Sequence, residues 1–250
     1  MTREESILAK HLIDLSRQAY HKGIVTYSDF LNLNEQSIFH TCISELSCGF
    51  EMHGGYDYAE RQMIAFLPDA LMFRPEYPYV CLKMEPANRK FADVITHRDV
   101  LGSLMSLGIE RSKIGDILVK DNSIFVFCHT NISAFIQEEL TRIRHTAINI
   151  QRAEPEDPGI RPNLEMCECI VTSNRLDGLT ASMCRLSRSQ AADLIKKGSV
   201  FINGKETINT SYSCKEKDII SIRGFGRFRF ACPLGETRKG RIKIQYYKYV

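Results

Sequence analysis

The chain has 250 residues, enough for two or three compact units, and its 44% hydrophobic and 25% charged content excludes disordered, collagen-like and coiled-coil classes. No run approaches the roughly 18 consecutive apolar residues of a membrane span, and the start, MTREESILAKHL, is acidic and amphipathic where a secretory leader is basic and then apolar. A cytoplasmic protein with no membrane partner is therefore expected. The net charge of +3 hides a division: from Leu164 onward sixteen Lys+Arg face eight Asp+Glu, a balance of +8, while residues 1–163 carry −5. A basic last third of this kind suits a polyanion partner for the C-terminal unit, against the plainer reading of lysines that only keep a domain soluble.

The N-terminal stretch carries Leu8, Leu12, Leu15 and Ala19 at helical spacing, with Gly23 as a stop. A second helical pattern, Ile38, Cys42, Ile43 and Leu46, follows Asn34, so residues 1–75 read as a small, mostly helical unit. In HGGYDYAERQMIAFLP (His53–Pro68) the glycine pair marks a turn and the apolar residues after it a strand. Arg61, within that stretch, reads either as a partner contact or as a solvated charge.

Residues 76–152 are more regular. Val80, Leu82 and Met84 form a strand, and a helix from Thr96 turns Val100, Leu101, Leu104 and Met105 inward before Gly108. Strands Ile117–Lys120 and Ile124–Cys128 follow, with Asp121-Asn122 as their turn. A helix with Ile132, Phe135, Ile136, Leu140 and Ile143 then leads to a last strand, Ala147–Ile150. The order β-α-β-β-α-β is the ferredoxin-like or RRM-like arrangement, so the fold class expected is multidomain α+β. SIFVFCHT supplies an aromatic strand but lacks the preceding basic-Gly-aromatic-Gly run of RNA-binding sheets.

RAEPEDPGIRPN (Arg152–Asn163), with three prolines and a cluster of acids, reads as a linker over 153–163. It coincides with the change in charge. Beyond it, Leu176, Leu179 and Met183 share a helical face in RLDGLTASMC. RLSRSQAADLIKKGSVFINGK (Arg185–Lys205) follows. Its Ser187 and Gln190 have capping-box spacing, Ala191, Leu194 and Ile195 form a buried stripe, and Gly198 sits where a left-handed residue ends a helix. Asn203-Gly204 is a type I′ hairpin signal after the strand Val200–Ile202. What these structural roles leave over is Arg185, Arg188, Lys196, Lys197 and Lys205 with the polar Ser189, Gln190 and Asn203. They are either a phosphate grip beside a helix N-terminus or ordinary surface cations. RGFGRFRF (Arg223–Phe230) resembles the aromatic RRM signature, but Arg227 stands where that pattern wants an aromatic, so the stretch reads as a basic strand edge.

Nine scattered cysteines, mostly in apolar runs such as Phe127-Cys128, read as reduced core residues. Cys167 and Cys169 share a strand face without a CxxC or a His pair, so neither a metal nor any other cofactor is expected.

Helix, helix and hairpin with basic edges resemble the S4 RNA-binding domain, and Arg-Leu-Asp, Leu-Ser-Arg-Ser-Gln-Ala and Val-Phe-Ile-Asn-Gly-Lys fall in order between Arg175 and Lys205. That resemblance implies RNA contacts at Arg175, Arg185, Arg188, Ser189, Gln190, Lys196, Lys197, Asn203 and Lys205, to which the basic strand edges add Arg223, Arg227 and Arg241. Pseudouridine synthases with an S4 domain use the Asp of an Arg-Leu-Asp motif, which makes Asp177 the residue of a rival, enzymatic reading. Here that Asp opens the S4 motif itself, only 45 residues follow Lys205, and no GxGxxG appears for a methyltransferase. GGYDYAERQMIAFLP, THRDVLGSLMSLGIERSKIGDILV and the S4 segment together resemble the YlmH-type family of bacterial S4 proteins. Membership implies a noncatalytic, monomeric factor that binds the large ribosomal subunit, contacts 23S rRNA and peptidyl-tRNA, and helps ribosome-associated quality control extend stalled nascent chains. Secondary RNA contacts expected on this basis are Arg61, His97, Arg98, Arg111, Lys113 and Asp14. In THRD, Thr96 and Asp99 cap a helix while His97 and Arg98 either face RNA or are merely solvated.

Overall fold

The computed structural model describes residues 2–68, 74–120, 123–153, 157, 159–238 and 240–250. Where the chain turns helical is set by short polar signals. Thr2, Asn32, Thr96 and Ser187 each accept a bond from the amide three residues on, and the side chains of Glu5, Glu35, Asp99 and Gln190 each accept one from the cap residue's own amide. These reciprocal boxes satisfy amides that a helix start otherwise leaves unpaired.

Two compact units result, Met1–Arg161 and Pro162–Val250. The first begins with α1 (Arg3–Lys22), β1 (Thr26–Tyr27), α2 (Leu33–Thr41), β2 (Gly49–His53) and β3 (Met63–Leu67). Gly23 ends α1 in the left-handed conformation, φ 62°. The N-terminal region is less helical than expected, because β1, β3 and β2 form an antiparallel sheet in that order under the two helices. β2 was not legible because GFEMH alternates over only five residues, with Phe50 and Met52 half-buried. The second helix stops at Thr41, so Ile43 lies in a separate 3-10 turn rather than on the helical stripe.

β4 (Tyr79–Pro86), α3 (His97–Ser106), β5 (Ile114–Lys120), β6 (Ser123–His129), α4 (Thr130–Glu139), β7 (Arg142–Ile143) and β8 (Thr146–Arg152) follow. The strands form one antiparallel sheet ordered β5-β6-β4-β8-β7. Lys120 pairs with Ser123, and the Asp121-Asn122 turn expected between them lies outside the described residues. Two helical assignments change: Ile143 belongs to β7, paired with Thr146, and Phe135 is 43% exposed rather than inward. On one face α3 and α4 bury Val100, Leu104 and Ile136 against Leu82, Met84 and Val126.

The other face of this sheet is covered as well. Phe125 and Phe127 are 1% and 2% exposed and pack in one cluster with Phe30, Met63 and Ile160. Tyr56 stacks on Phe127 with ring centroids 5.3 Å apart. Gly159 lies so close that a Cβ there would meet the Phe125 ring at 2.3 Å. β6 is thus buried on both faces, which explains its unbroken apolar run. The described part of the expected linker is packed rather than free: Asp157 pairs with Lys83 at 2.9 Å and Ile160 is buried.

Arginines and an aspartate join the two sheets of this unit. Asp116 accepts from the Tyr56 hydroxyl and from the amides of Glu60 and Arg61. Arg61 donates to the carbonyls of Ile114 (2.9 Å), Phe30 (2.7 Å) and Arg111, and Arg111 donates to those of Ile114 and Gly115. Burial lowers the pKa of Arg61, and burial together with the Arg61 charge lowers that of Arg111 to about 10.

In the second unit β9 (Leu164–Val171), α5 (Leu176–Cys184), α6 (Arg188–Lys196), β10 (Val200–Ile202), β11 (Lys205–Glu206), β12 (Ile219–Ile222), β13 (Gly226–Glu236) and β14 (Ile242–Tyr249) build an antiparallel sheet ordered β11-β10-β12-β13-β14-β9. α5 and α6 cover one face, where Leu176, Leu179, Met183 and Ile195 meet Ile220, Phe228, Phe230, Ile244 and Tyr246. Cys169 lies in that core with Cys167 packed against it, and all nine cysteines are free thiols. Among the described residues no helix is long and apolar enough to cross a membrane.

Replacing Arg61 by Met strands the carbonyls it now satisfies. The expected cost is about 2–3 kcal/mol, seen in urea pulse proteolysis as a lower midpoint for fragments of 1–161 and an unchanged one for 162–250.

Candidate nucleic-acid interface

The N-terminus of α5 has no side-chain cap. Its first amides instead reach the 210–212 segment, Leu176 donating to the Tyr212 carbonyl (2.8 Å) and Asp177 to that of Thr210 (3.1 Å). This seats Asp177, 6% exposed, at the start of the helix. Two guanidinium forks close on its carboxylate: Arg175 through Nε (3.3 Å) and Nη2 (3.1 Å), and Arg188 through Nε and Nη2 (both 3.2 Å). The Gly178 amide adds a fifth bond at 2.8 Å. Burial pulls the carboxyl upward, but the bonds from Arg175, Arg188 and Gly178 outweigh it and hold Asp177 below the usual carboxylate range.

Both oxygens of Asp177 are taken by these five donors. Its geometry is that of an organiser. Two guanidiniums share one negative charge, so the cluster keeps a net positive charge, and the arginine side chains remain 42% and 54% exposed. Sequence reasoning placed Arg188 among cations left over on the outside; it is also the clamp between α6 and α5.

The other expected contacts divide by position. Arg185 caps α5 in a left-handed conformation (φ 55°) and is exposed. Such backbone is strained for a residue with a side chain. The Ser187–Gln190 capping box forms as read, and it occupies the Gln190 amide oxygen with the Ser187 amide at 2.9 Å; Ser189 is exposed with its hydroxyl 3.0 Å from that of Ser187. Lys196, Lys197 and Lys205 are exposed. Asn203 departs from its expected role. It does form the type I′ turn, with φ 49° and Gly204 at 77°, but its amide nitrogen donates to buried Asp218 at 2.8 Å and its oxygen accepts from the Ile219 amide at 2.9 Å. The side chain fastens the hairpin to β12.

Arg241 and Arg188 line one shallow cleft of about 300 Å³, floored by Val171, Gly178, Ala181 and Leu186. Arg223 and Arg227 are elsewhere. The register Phe201↔Ser221↔Arg227 puts Arg227 on the sheet face opposite α5 and α6, beyond inward-facing Phe228. Arg223 leaves the end of β12 with its guanidinium 4.9 Å from the Phe201 ring, so the expected single grip is two surfaces. Arg229 is in register with Tyr247 on that face, and Phe225 is 39% exposed in the β12–β13 turn.

In the first unit the secondary set mostly serves the fold. Arg61 and Arg111 donate to carbonyls, which overturns the solvated-charge reading of Arg61. Lys113 pairs with Asp29 at 2.6 Å, and Asp14 with Arg17 at 3.3 Å on the exposed side of α1. Thr96 and Asp99 make the capping box, and His97 and Arg98 are exposed beside it.

The depressed carboxyl of Asp177 gives a signed pH dependence. Its stabilisation is present above the unfolded value of about 3.9 and is lost as pH falls through the lower folded value. Asp177→Asn is therefore expected to lower the urea midpoint of 162–250 at pH 7 and to narrow the gap from wild type as pH drops below about 4. Parallel pH profiles would contradict the assignment.

A family model described as "Putative RNA-binding domain in YlmH" matches residues 79–157, from the first residue of β4 to the Asp157 that pairs with Lys83. The "Ribosome-associated protein quality control protein P2" of Bacillus subtilis (strain 168) is 29% identical over 248 residues, spanning 98% of this chain and 95% of that one. A solved structure, "Cell division protein ylmH from Streptococcus pneumoniae", superposes with a TM-score of 0.51 at 18% identity, over 62% of this chain and 93% of its own, a likeness of fold. The central region thus matches a model of the YlmH-type family, and the chain is similar along nearly its whole length to the Bacillus protein.

Proposed function

We propose that the chain is a noncatalytic RNA-binding factor of the large ribosomal subunit that acts in ribosome-associated quality control. The observation that carries the reading is the helical side of the second unit. There Asp177 holds Arg175 and Arg188 in fixed forks, with Arg185, Lys196 and Lys197 exposed on the same two helices. Guanidiniums oriented this way and still partly open to solvent suit phosphate oxygens. The family model's description and the Bacillus protein's printed name support RNA and the ribosome as partners.

In finer terms, residues 164–250 act as an S4-type domain and 76–152 as an RRM-like domain, joined through 153–163 and preceded by an N-terminal unit over 1–75. The strand order β5-β6-β4-β8 supports the RRM-like reading. The RNA held is 23S rRNA together with peptidyl-tRNA, the protein works as a cytoplasmic monomer, and its action assists tailing of stalled chains. The contacts are Arg175, Arg185, Arg188, Ser189, Lys196, Lys197, Lys205 and Arg241, with His97 and Arg98 as secondary ones. The buried state of Phe125 and Phe127 supports contacts at the margins of the central sheet rather than on its face.

Sedimentation of tagged protein is expected to place it with free large subunits and to release it as salt rises; recovery only at the top of the gradient contradicts the reading. Lys196→Ala with Lys197→Ala is a cleaner probe than Arg188→Ala, which would leave Asp177 half-paired. The double substitution is expected to weaken duplex RNA binding and reduce its log–log salt slope by about 2, roughly one for each phosphate contact removed, with the urea midpoint unchanged.

A further inference from the structure

The cleft beside Arg188 offers more than a grip on phosphates requires. Asp177 engages Nε and Nη2 of Arg188. Nη1 takes no part in that pair, so the guanidinium is fixed in orientation while its side chain stays 54% exposed. Arg241, just before β14, lines the same cleft. Much of the remaining lining is apolar: Ile170, 53% exposed on the edge strand β9, with Val171, Ala181 and half-buried Leu186. At about 300 Å³ the cleft stands at the small end of ligand sites.

Gly178, in the first turn of α5, keeps this cleft open. Its φ is not positive, and a Cβ added there would meet only the Ser173 carbonyl oxygen, at 4.0 Å. Neither backbone conformation nor packing calls for glycine, although it is among the least favourable residues in a helix. What the missing side chain does is leave room over the cleft floor. Charge nearby is modest. Asp177 is shared by Arg175 and Arg188, Glu168 pairs with Lys243 at 2.7 Å, and exposed Glu236 lies in register with Ile242, next to Arg241. With Arg185 added, these are five cations and three acids, an excess of two that suits one or two phosphates rather than a long backbone run. We propose that the cleft receives one unpaired nucleotide of the bound RNA, its base against Ile170 and Leu186 over Gly178 and its flanking phosphates on Arg188 and Arg241.

Guanidinium forks suit phosphate oxygens, and an apolar lining suits a base face, which a paired helix keeps stacked inside. A shallow cleft also lets the nucleotide stay joined to its strand. The site deepens the proposed RNA-binding role and rests on it: to a surface that holds phosphates it adds a preference for a base turned out of its helix.

Anisotropy with full-length protein compares a labelled 20-base-pair RNA duplex with the same duplex carrying one bulged adenosine. The wild type is expected to hold the bulged RNA about 5-fold or more tighter. Gly178→Leu, which fills the cleft, should abolish that preference, whereas Lys196→Ala with Lys197→Ala should weaken both RNAs and keep it. Gly178→Ala should raise the urea midpoint of 162–250 while narrowing the preference; a fall in both, as for a glycine that serves packing, overturns the proposal. So does a preference that survives Gly178→Leu. A wild type with no preference for the bulge overturns it too, whether or not adenosine 5′-monophosphate, titrated alongside, binds by itself, and leaves the broader function standing. A wild type that binds neither RNA removes both.

Discussion

A carboxylate buried at the start of one helix and shared by two arginines is the constraint on which the basic unit depends. Removing a charge from water is costly unless it is paired and hydrogen-bonded, and Asp177 meets that condition with four guanidinium bonds and one amide. Arg175 lies just before α5 and Arg188 opens α6, so one anion sets the spacing of both helix starts. Cations that would otherwise sample many rotamers are presented in a defined pattern. Structure and candidate function thus use the same atoms: the anion inside orients the positive charge outside.

The first unit uses charge differently. Arg61 and Arg111 face inward and satisfy carbonyls at the junction between its two sheets, with Asp116 collecting the amides beside them. Five donors in a rigid plane make arginine suited to bridging several carbonyls at once. The overall charge asymmetry understates the contrast, since these cations of the acidic portion are withdrawn from the surface. The basic unit exposes most of what it carries.

Local signals were readable because they act over three or four residues. Ser187 with Gln190, Thr96 with Asp99, Gly23, Gly108 and Asn203-Gly204 all do in the structure what their spacing implied. Long-range roles were not readable. Nothing near Arg61 in sequence names Phe30 or Ile114 as its acceptors, and nothing near Asn203 names Asp218. Arg188 and Asp177 lie eleven residues apart, so their pairing appears only once α5 and α6 pack. A charged side chain looks the same in sequence whether it faces a carbonyl, a buried anion or solvent, which is why the candidate site was legible as a set of residues but not as two faces.

β6 carries a consequence for how the protein is made. Phe125 and Phe127 are sealed from one side by Phe30, Tyr56 and Met63, which precede them in the chain, and by Gly159 and Ile160, which follow. During synthesis from the N-terminus, the sheet can form its hydrogen bonds before that seal is complete. Until Ile160 has left the exit tunnel, that apolar face can be covered only in part, and the first unit closes only when translation has begun on the second.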